Sequence, residues 1–310
     1  MIIVFGSVNL DLVASVERLP VAGETIAGRG FATSPGGKGA NQALAARRAG
    51  APVALFGAVG NDAFAAPALA LLREDGVDVS GVIGVDAATG VAMIHVDAAG
   101  ENAITVVAGA NAWARAAQVS DAKLGASSTL LLQLETPAAE GLALARRARL
   151  AGTRVILNPA PAQPLDRGWL EAIDVLVINQ TEACVLAQAF DIAGNARSFA
   201  VALSQRHGIG VILTLAQEGA LAVFGDAHYE VPALSVPCVD TVGAGDAFVG
   251  AFAAALDRGD PLTRALAGGA AAGGLTCTRH GAQAALPHEE AIRAHCATVE
   301  SGITICRTTA

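Results

Sequence analysis

Long uncharged hydrophobic runs are absent from this sequence, although its composition is apolar. Of 310 residues, 53% are hydrophobic and only 15% are charged. The longest stretch without Asp, Glu, Lys or Arg is the 14 residues 265–278, which are rich in Gly and Ala. A membrane-spanning helix needs about 20 predominantly apolar residues, and the first ten residues lack the basic segment of a secretory signal. We therefore expect a soluble, cytoplasmic protein with no membrane segment.

Positive charge and patterned cysteine are also scarce. The 20 basic residues are outnumbered by 28 acidic ones, giving a net charge of −8, which argues against a nucleic-acid partner because such binding depends on clustered Lys and Arg. The five cysteines are scattered and contain no CxxC pair, so neither a disulfide framework nor a zinc site is indicated. We expect buried, reduced thiols at all five positions, which are Cys184, Cys238, Cys277, Cys296 and Cys306.

Short β-branched runs alternate with Ala-rich helical stretches over most of the chain. This alternation predicts an α/β fold whose mainly parallel sheet is covered by helices on both faces. The predicted strands are 2–5, 53–59, 129–132, 154–157, 175–178 and 211–214. The predicted helices are 39–49, 63–74, 137–150, 182–189, 196–207, 245–256, 263–277 and 288–299.

Two segments interrupt that rhythm with alternating or turn-punctuated patterns, and the second is typical of a hairpin. Residues 12–34 are punctuated by turn residues, and residues 91–96 and 103–107 flank a turn at 97–100. Strands of this kind do not fit a helix-covered parallel sheet. We predict one domain over residues 1–310 with a small β-sheet lid, formed from about 12–34 and 86–110, as a possible dimer surface.

The sharpest chemical motif is DTVGAGD at residues 240–246, directly before a predicted helix. Glycines at a helix entrance expose backbone N–H groups, and the helix dipole favours an anion there. Asp246 has two possible roles in this position, an N-cap or a general base aimed at a substrate hydroxyl beside the anion.

Neither of the common nucleotide-binding fingerprints is present. The run GGKGANQ at 36–42 opens a helix but lacks the spacing of a P-loop, and no G-x-G-x-x-G follows a strand, which argues against an NAD enzyme. Polar residues instead follow the predicted strands, where ligands bind in open α/β sheets. They are Asn9, Asp11, Glu135, Asn179 and Glu182.

Taken in order, these motifs resemble those of the ribokinase family of carbohydrate kinases. The matching runs are GSVNLD at 6–11, GGKGANQ at 36–42, GAN at 109–111, QLETP at 133–137, NPAP at 158–161, NQTE at 179–182, DTVGAGD at 240–246 and TRHGAQ at 278–283. The resemblance covers residues 1 to about 300 and implies a homodimer formed through the lid. It also implies ATP-dependent phosphorylation of the primary hydroxyl of a small sugar, with D-ribose as the first candidate.

The resemblance assigns residues to three sites. It implies that Asp246 is the base, that the Gly243, Ala244 and Gly245 amides form an anion hole, and that the pentose is surrounded by Asn9, Asp11, Gly37, Lys38, Asn41, Glu135 and Asp246. The implied nucleotide-binding residues are Asn179, Thr214, Leu215, Ala216, Gln217, Glu218, Gly219, Gly245 and Ala270. Glu182 would act on Mg²⁺ through water, and K⁺ would be held at Asp240, Val242, Thr276, Arg279, Gly281 and Ala285.

This chain departs from the family pattern at three of those positions. Relatives commonly have Gly at position 216, Asn or His at position 270, and in some cases Ser at position 285, where this chain has Ala. Two other functions remain open: a sibling kinase for deoxyribose, another sugar or a nucleoside, and a catalytically silent sugar-binding regulator. The intact Asp246 and NQTE run favour a kinase over the regulator.

Overall fold

A sheet of ten strands forms the centre of the protein. The computed structural model describes residues 1–307, and its main sheet has the strand order β14-β13-β12-β11-β10-β9-β8-β1-β4-β5. Its strands are β1 Ile2–Phe5, β4 Val53–Gly60, β5 Asp78–Val85, β8 Thr129–Leu132, β9 Arg154–Leu157, β10 Val175–Asn179, β11 Gly210–Thr214, β12 Ala220–Phe224, β13 Ala227–Val231 and β14 Thr304–Arg307. The seven neighbouring strands from β11 to β5 in this order run parallel. Six of them are predicted strands, and the parallel sheet is confirmed.

Ten helices cover the described part of this sheet on both faces, which explains the continuous apolar runs of its central strands. They are α1 Lys38–Arg48, α2 Ala65–Ala68, α3 Ala70–Glu74, α4 Ala138–Leu150, α5 Gly168–Ala172, α6 Gln180–Phe190, α7 Ala196–His207, α8 Ala244–Arg258, α9 Leu262–Thr276 and α10 Glu289–Ser301. Ile2 and Val4 pack with α1, α8, α9 and α10, whereas Ile3 and Phe5 pack with α4 to α7. None of the helices in residues 1–307 is long and apolar enough to cross a membrane.

The sequence prediction missed the outer strands at both edges of the sheet and joined two helices. Strands β12, β13 and β14 add antiparallel pairs beyond β11, and β14 lies in the tail 301–310, of which residues 308–310 fall outside the described part. The predicted helix 63–74 is divided into α2 and α3, because Leu69 has φ −100° and ψ 0° and leaves helical geometry. Strand β5 was missed because two glycines interrupt its apolar pattern.

A second sheet of four strands forms the lid, in the order β3-β2-β6-β7. Its strands are β2 Asn9–Val16, β3 Gly28–Gly36, β6 Gly90–Val96 and β7 Asn102–Val107. The predicted hairpin is confirmed, since β6 and β7 pair antiparallel. Strand β2 begins at Asn9, so Asn9 and Asp11 belong to the lid. Only three residues separate β1 from β2, and the lid therefore lies at the carboxyl end of the parallel strands.

The expectation of five buried thiols is wrong, although all five are free. Only Cys296 is buried, while Cys184, Cys238 and Cys306 are exposed and Cys277 is half-buried. Cys306 is exposed because it lies on the edge strand β14, all four residues of which face solvent.

Candidate active site

Asp246 lies in the first turn of α8 but does not cap that helix. The N-cap is Gly243, which adopts a left-handed conformation with φ 79°. The Asp246 side chain turns instead toward α1, and only 6% of the residue is exposed. The Asn41 amide donates to Asp246 Oδ2 at 2.9 Å, and the Gln42 amide donates to Oδ1 at 3.0 Å. The N-cap role is therefore excluded. The Asp246 carboxylate is instead buried and oriented, which fits the other predicted role, that of a general base.

Gly250 allows α1 and α8 to approach closely enough for these bonds. A Cβ atom at position 250 would lie 2.6 Å from Ala45 Cβ and 2.7 Å from the Gln42 carbonyl oxygen. Gly250 follows Asp246 by about one helical turn and lies on the same face of α8. The contact that glycine permits thus sets the distance between Asp246 and its two amide donors.

Backbone amides of the first turn of α8 lie beside this carboxylate. The first N–H groups of a helix have no carbonyl one turn earlier, and the helix dipole favours an anion there. The Ala244 N–H donates to the Thr241 carbonyl at 3.2 Å, so Gly243 and Gly245 are the better-placed donors of the predicted three. The space beside Gly245 is open, since a Cβ atom there would meet nothing within 4 Å.

Asn9 is held at the start of β2 by Asn111. The Asn111 amide donates to Asn9 Oδ1 at 2.7 Å and to the Val8 carbonyl at 3.2 Å, and Asn111 Oδ1 accepts from the Val8 N–H at 2.9 Å. Asn9 and Asn111 are both buried. The GAN run of the sequence therefore orients a predicted sugar-binding residue.

Two glycines bring the end of β3 against β2. Gly37 has φ 89°, and a Cβ atom there would lie 2.8 Å from the Asn9 backbone nitrogen. A Cβ atom at Gly36 would overlap the Asp11 carboxylate. The GGKGANQ run thus begins with glycines because the lid strand crosses directly over it, and this places Asp11 beside the start of α1.

Asp11 and Glu135 form an acidic pair on the sugar side of the site. Burial, with a smaller contribution from the charge of Glu135, raises the pKa of Asp11 to about 6. Glu135 Oε2 accepts from the Lys38 N–H at 3.0 Å and from Ser7 Oγ at 2.5 Å. These bonds join the end of β8 to the start of α1.

The Lys38 ammonium lies within the field of the site's carboxylates. Its pKa is raised mainly by Asp246, and also by Glu135 and Glu182. A half-buried lysine surrounded by acids stays charged. The site therefore contains one side-chain cation close to the predicted base and the predicted sugar ligands.

Asn179 and Glu182 form a capping box at the start of α6. The Glu182 N–H donates to Asn179 Oδ1 at 2.8 Å, while Glu182 Oε2 accepts from the Asn179 N–H at 2.9 Å. Burial raises the pKa of Glu182. No cluster of three acidic, His or Cys residues suited to a metal occurs in residues 1–307. A single oriented carboxylate suits Mg²⁺ that keeps most of its waters, and the role of Glu182 toward the metal stays a prediction.

The predicted nucleotide loop is a tight turn after β11. Ala216 has φ 53°, a left-handed conformation that favours glycine. The Leu215 N–H donates to the Gly219 carbonyl at 2.8 Å, and the Leu215 side chain packs into the core. Residue 215 can therefore contact a nucleotide only through its backbone. Ala270, on α9, is 9% exposed and offers only a methyl group.

Three of the predicted K⁺ positions, Asp240, Val242 and Gly281, are joined through the Asp240 carboxylate. This carboxylate accepts from the Val242 N–H at 3.0 Å and from the Gly281 N–H at 2.9 Å. The Thr276 hydroxyl donates to the Ala272 carbonyl at 2.8 Å, and the Thr276 carbonyl accepts from the Arg279 N–H at 3.4 Å. Ala285 is buried in a short helical turn at Gln283–Ala285.

Sequence reasoning missed the residues that hold the site together. Gln42, Gln133 and Asn158 form a hydrogen-bonded chain to Asp246. All three occur in the motifs that carry the family resemblance, and this was the sign in the sequence that they belong to the site. Their partners lie 91 to 204 residues away along the chain, so the sequence alone could not connect them.

The chain matches a family model described as pfkB family carbohydrate kinase over residues 1–289. It belongs to the pfkB family. A ribokinase of Schizosaccharomyces pombe is 38% identical over 303 residues, covering 92% of this chain and 94% of the relative. A deoxyribokinase of Salmonella typhi is 35% identical over 257 residues, covering 81% and 84%.

Two solved ribokinase structures superpose on nearly the whole chain. A ribokinase of Thermotoga maritima superposes with a TM-score of 0.88 at 33% identity, covering 95% of this chain and 98% of that one. The Arabidopsis thaliana ribokinase, solved in complex with ribose and ATP, superposes with a TM-score of 0.85 at 30% identity, with coverages of 95% and 98%. The protein is therefore a sugar kinase, as predicted.

Proposed function

We propose that this protein transfers the γ-phosphoryl group of ATP to the primary hydroxyl of D-ribose, yielding D-ribose 5-phosphate and ADP. The observation that carries the proposal is the buried Asp246 carboxylate, fixed by Asn41 and Gln42 next to the amides that open α8. The Arabidopsis relative that was solved with ribose and ATP supports the choice of substrates.

We assign separate roles in the phosphoryl transfer to the residues of the site. Asp246 accepts the hydroxyl proton, the oxygen of that hydroxyl forms the new bond to the γ-phosphorus, and ADP leaves. The amides of Gly243 and Gly245 would face the anionic group in transit, because phosphoryl transfer is mainly positioning and electrostatic stabilisation. Asn9, Asp11, Lys38 and Glu135 would hold the sugar.

We also assign the ions to separate parts of the site. Glu182 would hold Mg²⁺ through water, and the metal would neutralise charge on the ATP phosphates when bound. The Asp240 loop, with Thr276, Arg279, Gly281 and Ala285, would hold K⁺ mainly through backbone carbonyls. Activity that is unchanged when K⁺ is replaced by a bulky organic cation would contradict the second assignment.

A lid-mediated homodimer and a cytoplasmic location complete the proposal. Cross-strand partners place Asp11, Ala92 and Val106 on one face of the lid, followed by Val13, Ile94 and Ile104. Ile104 is 52% and Val106 is 51% exposed, and a second copy bound there would also cover the sugar side of the site. The cytoplasm follows from the need for ATP.

A coupled assay of ADP release over pentoses, hexoses and nucleosides tests the proposal. We expect the highest kcat/KM with D-ribose. Deoxyribose is the second candidate, because the Salmonella deoxyribokinase is 35% identical. Turnover of a nucleoside but not of free ribose would overturn the substrate assignment, and sugar binding without ADP release would favour a regulator.

A further inference from the structure

We infer that Gln42 is a positioning residue for Asp246 and that Gln133 and Asn158 lock the orientation of the Gln42 amide. The inference rests on the proposed function, since it assigns Asp246 as the base. It concerns residues that do not need to touch the sugar or ATP.

Gln42 is a completely buried amide whose nitrogen and oxygen are both engaged. Its Nε2 donates to Asp246 Oδ1 at 3.0 Å and to Asn158 Oδ1 at 3.0 Å, and its Oε1 accepts from Gln133 Nε2 at 2.6 Å. Only one orientation satisfies these partners. A flipped amide would point its oxygen at a carboxylate, which can only accept when ionised.

The partners of Gln42 are themselves anchored at the carboxyl ends of adjacent parallel strands. Gln133 follows β8, and Asn158 follows β9, where its N–H donates to the Leu132 carbonyl at 2.9 Å. The Asn158 amide also donates to the Val177 carbonyl of β10 at 3.0 Å. The chain of bonds therefore runs from three sheet strands through α1 to the carboxylate on α8.

Gln133 makes this connection at a cost. Only 2% of the residue is exposed, and its Oε1 has no hydrogen-bond partner in residues 1–307. An apolar side chain would avoid that buried, unsatisfied oxygen. The bond that Gln133 does make goes to Gln42, which is the expected arrangement if the residue serves the active site rather than stability.

The two oxygens of Asp246 would then have different roles. Oδ2 is bonded to Asn41, a predicted sugar ligand, and it would exchange this bond for one to the sugar hydroxyl. Oδ1 stays bonded to Gln42. Loss of the lock would let the carboxylate rotate, so the transfer step would slow while binding of ribose and ATP changed little.

Steady-state kinetics of Gln42→Met, Gln133→Met and the double variant test the inference. We expect kcat with ribose to fall about tenfold for Gln133→Met, equivalent to about 1.4 kcal/mol, and further for Gln42→Met, with both KM values within about twofold of wild type. The double variant should be no slower than Gln42→Met alone, because both changes break one chain.

Gln42→Glu keeps the shape of the side chain and allows a second measurement, the pH dependence of kcat. This profile would not change if Gln42 had only a structural role. A second carboxyl beside Asp246 should shift the acidic limb of the kcat–pH profile to higher pH. Gln118→Met is the control, because its amide bonds the Gly57 and Gly81 carbonyls in another part of the fold. We expect wild-type kcat for it.

Three outcomes would overturn the inference: wild-type kcat in Gln133→Met, additive losses in the double variant, or an unshifted profile in Gln42→Glu. Thermal melts identify any variant that fails to fold, and Gln42→Glu then carries the test. The proposed function fails separately, if the wild-type protein itself turns over no sugar.

Discussion

At the scale of single residues, the chemistry depends on how Asp246 is held. Its carboxylate is almost fully buried, receives two amide hydrogen bonds and lies beside the charged Lys38. We expect Asp246→Asn to lower kcat at least about a hundredfold, in line with the loss of a general base, with ribose affinity nearly unchanged. Turnover assays and calorimetric titration with ribose measure the two quantities. A loss of kcat below about threefold would contradict the assignment of the base.

We expect Asp11 to make sugar binding sensitive to pH. Burial and the charge of Glu135 raise the pKa of Asp11 to about 6. The carboxylate therefore takes up a proton as the pH falls through 6, and it then loses hydrogen-bond accepting capacity. We expect the KM for ribose to rise about tenfold for each pH unit below the pKa, while the KM for ATP stays flat. Asp11→Asn should give a high KM for ribose that no longer varies with pH. A constant ribose KM down to pH 5 in the wild-type protein would contradict this role.

Ala216 occupies a conformation that costs free energy for any residue with a Cβ atom. At φ 53° the penalty is about 1–2 kcal/mol, and part of it is offset because glycine loses more entropy on folding. We expect Ala216→Gly to raise the denaturation midpoint slightly. Ala294→Gly, on the exposed face of α10, is the control and should lower stability by about 1 kcal/mol. A lower midpoint for both variants would show that no strain is relieved at position 216.

At the scale of elements, the contact between α1 and α8 sets the geometry of the site. A methyl group at Gly250 would meet the backbone of α1 and separate the helices. We expect Gly250→Ala to cost about 1–3 kcal/mol and to lower kcat about tenfold, as measured by urea unfolding and steady-state turnover.

Gly268→Ala in α9 is the matched control for that change. A Cβ atom at position 268 would meet nothing within 4 Å, so alanine should be neutral or stabilising by up to about 1 kcal/mol. Equal losses for both variants would mean that helix composition, rather than the contact with α1, is responsible.

At the scale of the whole molecule, the lid sheet leaves an apolar face uncovered in a single chain. We expect the wild-type protein to have twice the 30.9 kDa mass of the chain by light scattering and Ile104→Glu to be monomeric with a raised KM for ribose. Burying a charge in an apolar interface is costly. Leu150→Glu is the control, since Leu150 is 90% exposed at the end of α4. A monomeric wild type, or a dimeric Ile104→Glu, would contradict the lid interface.

The sequence by itself determined the class of fold, and it predicted the residues of a candidate site. Continuous apolar strands between helices predicted the parallel sheet, because both faces of such a sheet must be buried, and ordered glycine-rich motifs identified Asp246, Asn9 and Asp11. It did not predict the outer strands β5, β12, β13 and β14, or the exposure of most of the cysteines.

Only the tertiary structure decided what each polar residue bonds. From the sequence, Asp246 fits the role of a helix cap as well as that of a base. The structure distinguishes the two, because α1 brings Asn41 and Gln42 to the two carboxylate oxygens. Likewise, the sequence could not predict the left-handed backbone of Ala216 or the series of hydrogen bonds from Gln133 through Gln42 to Asp246. The physical reason is the same in each case: hydrogen bonds and backbone angles depend on distances between segments far apart in sequence, whereas hydrophobic periodicity is a local property of the chain.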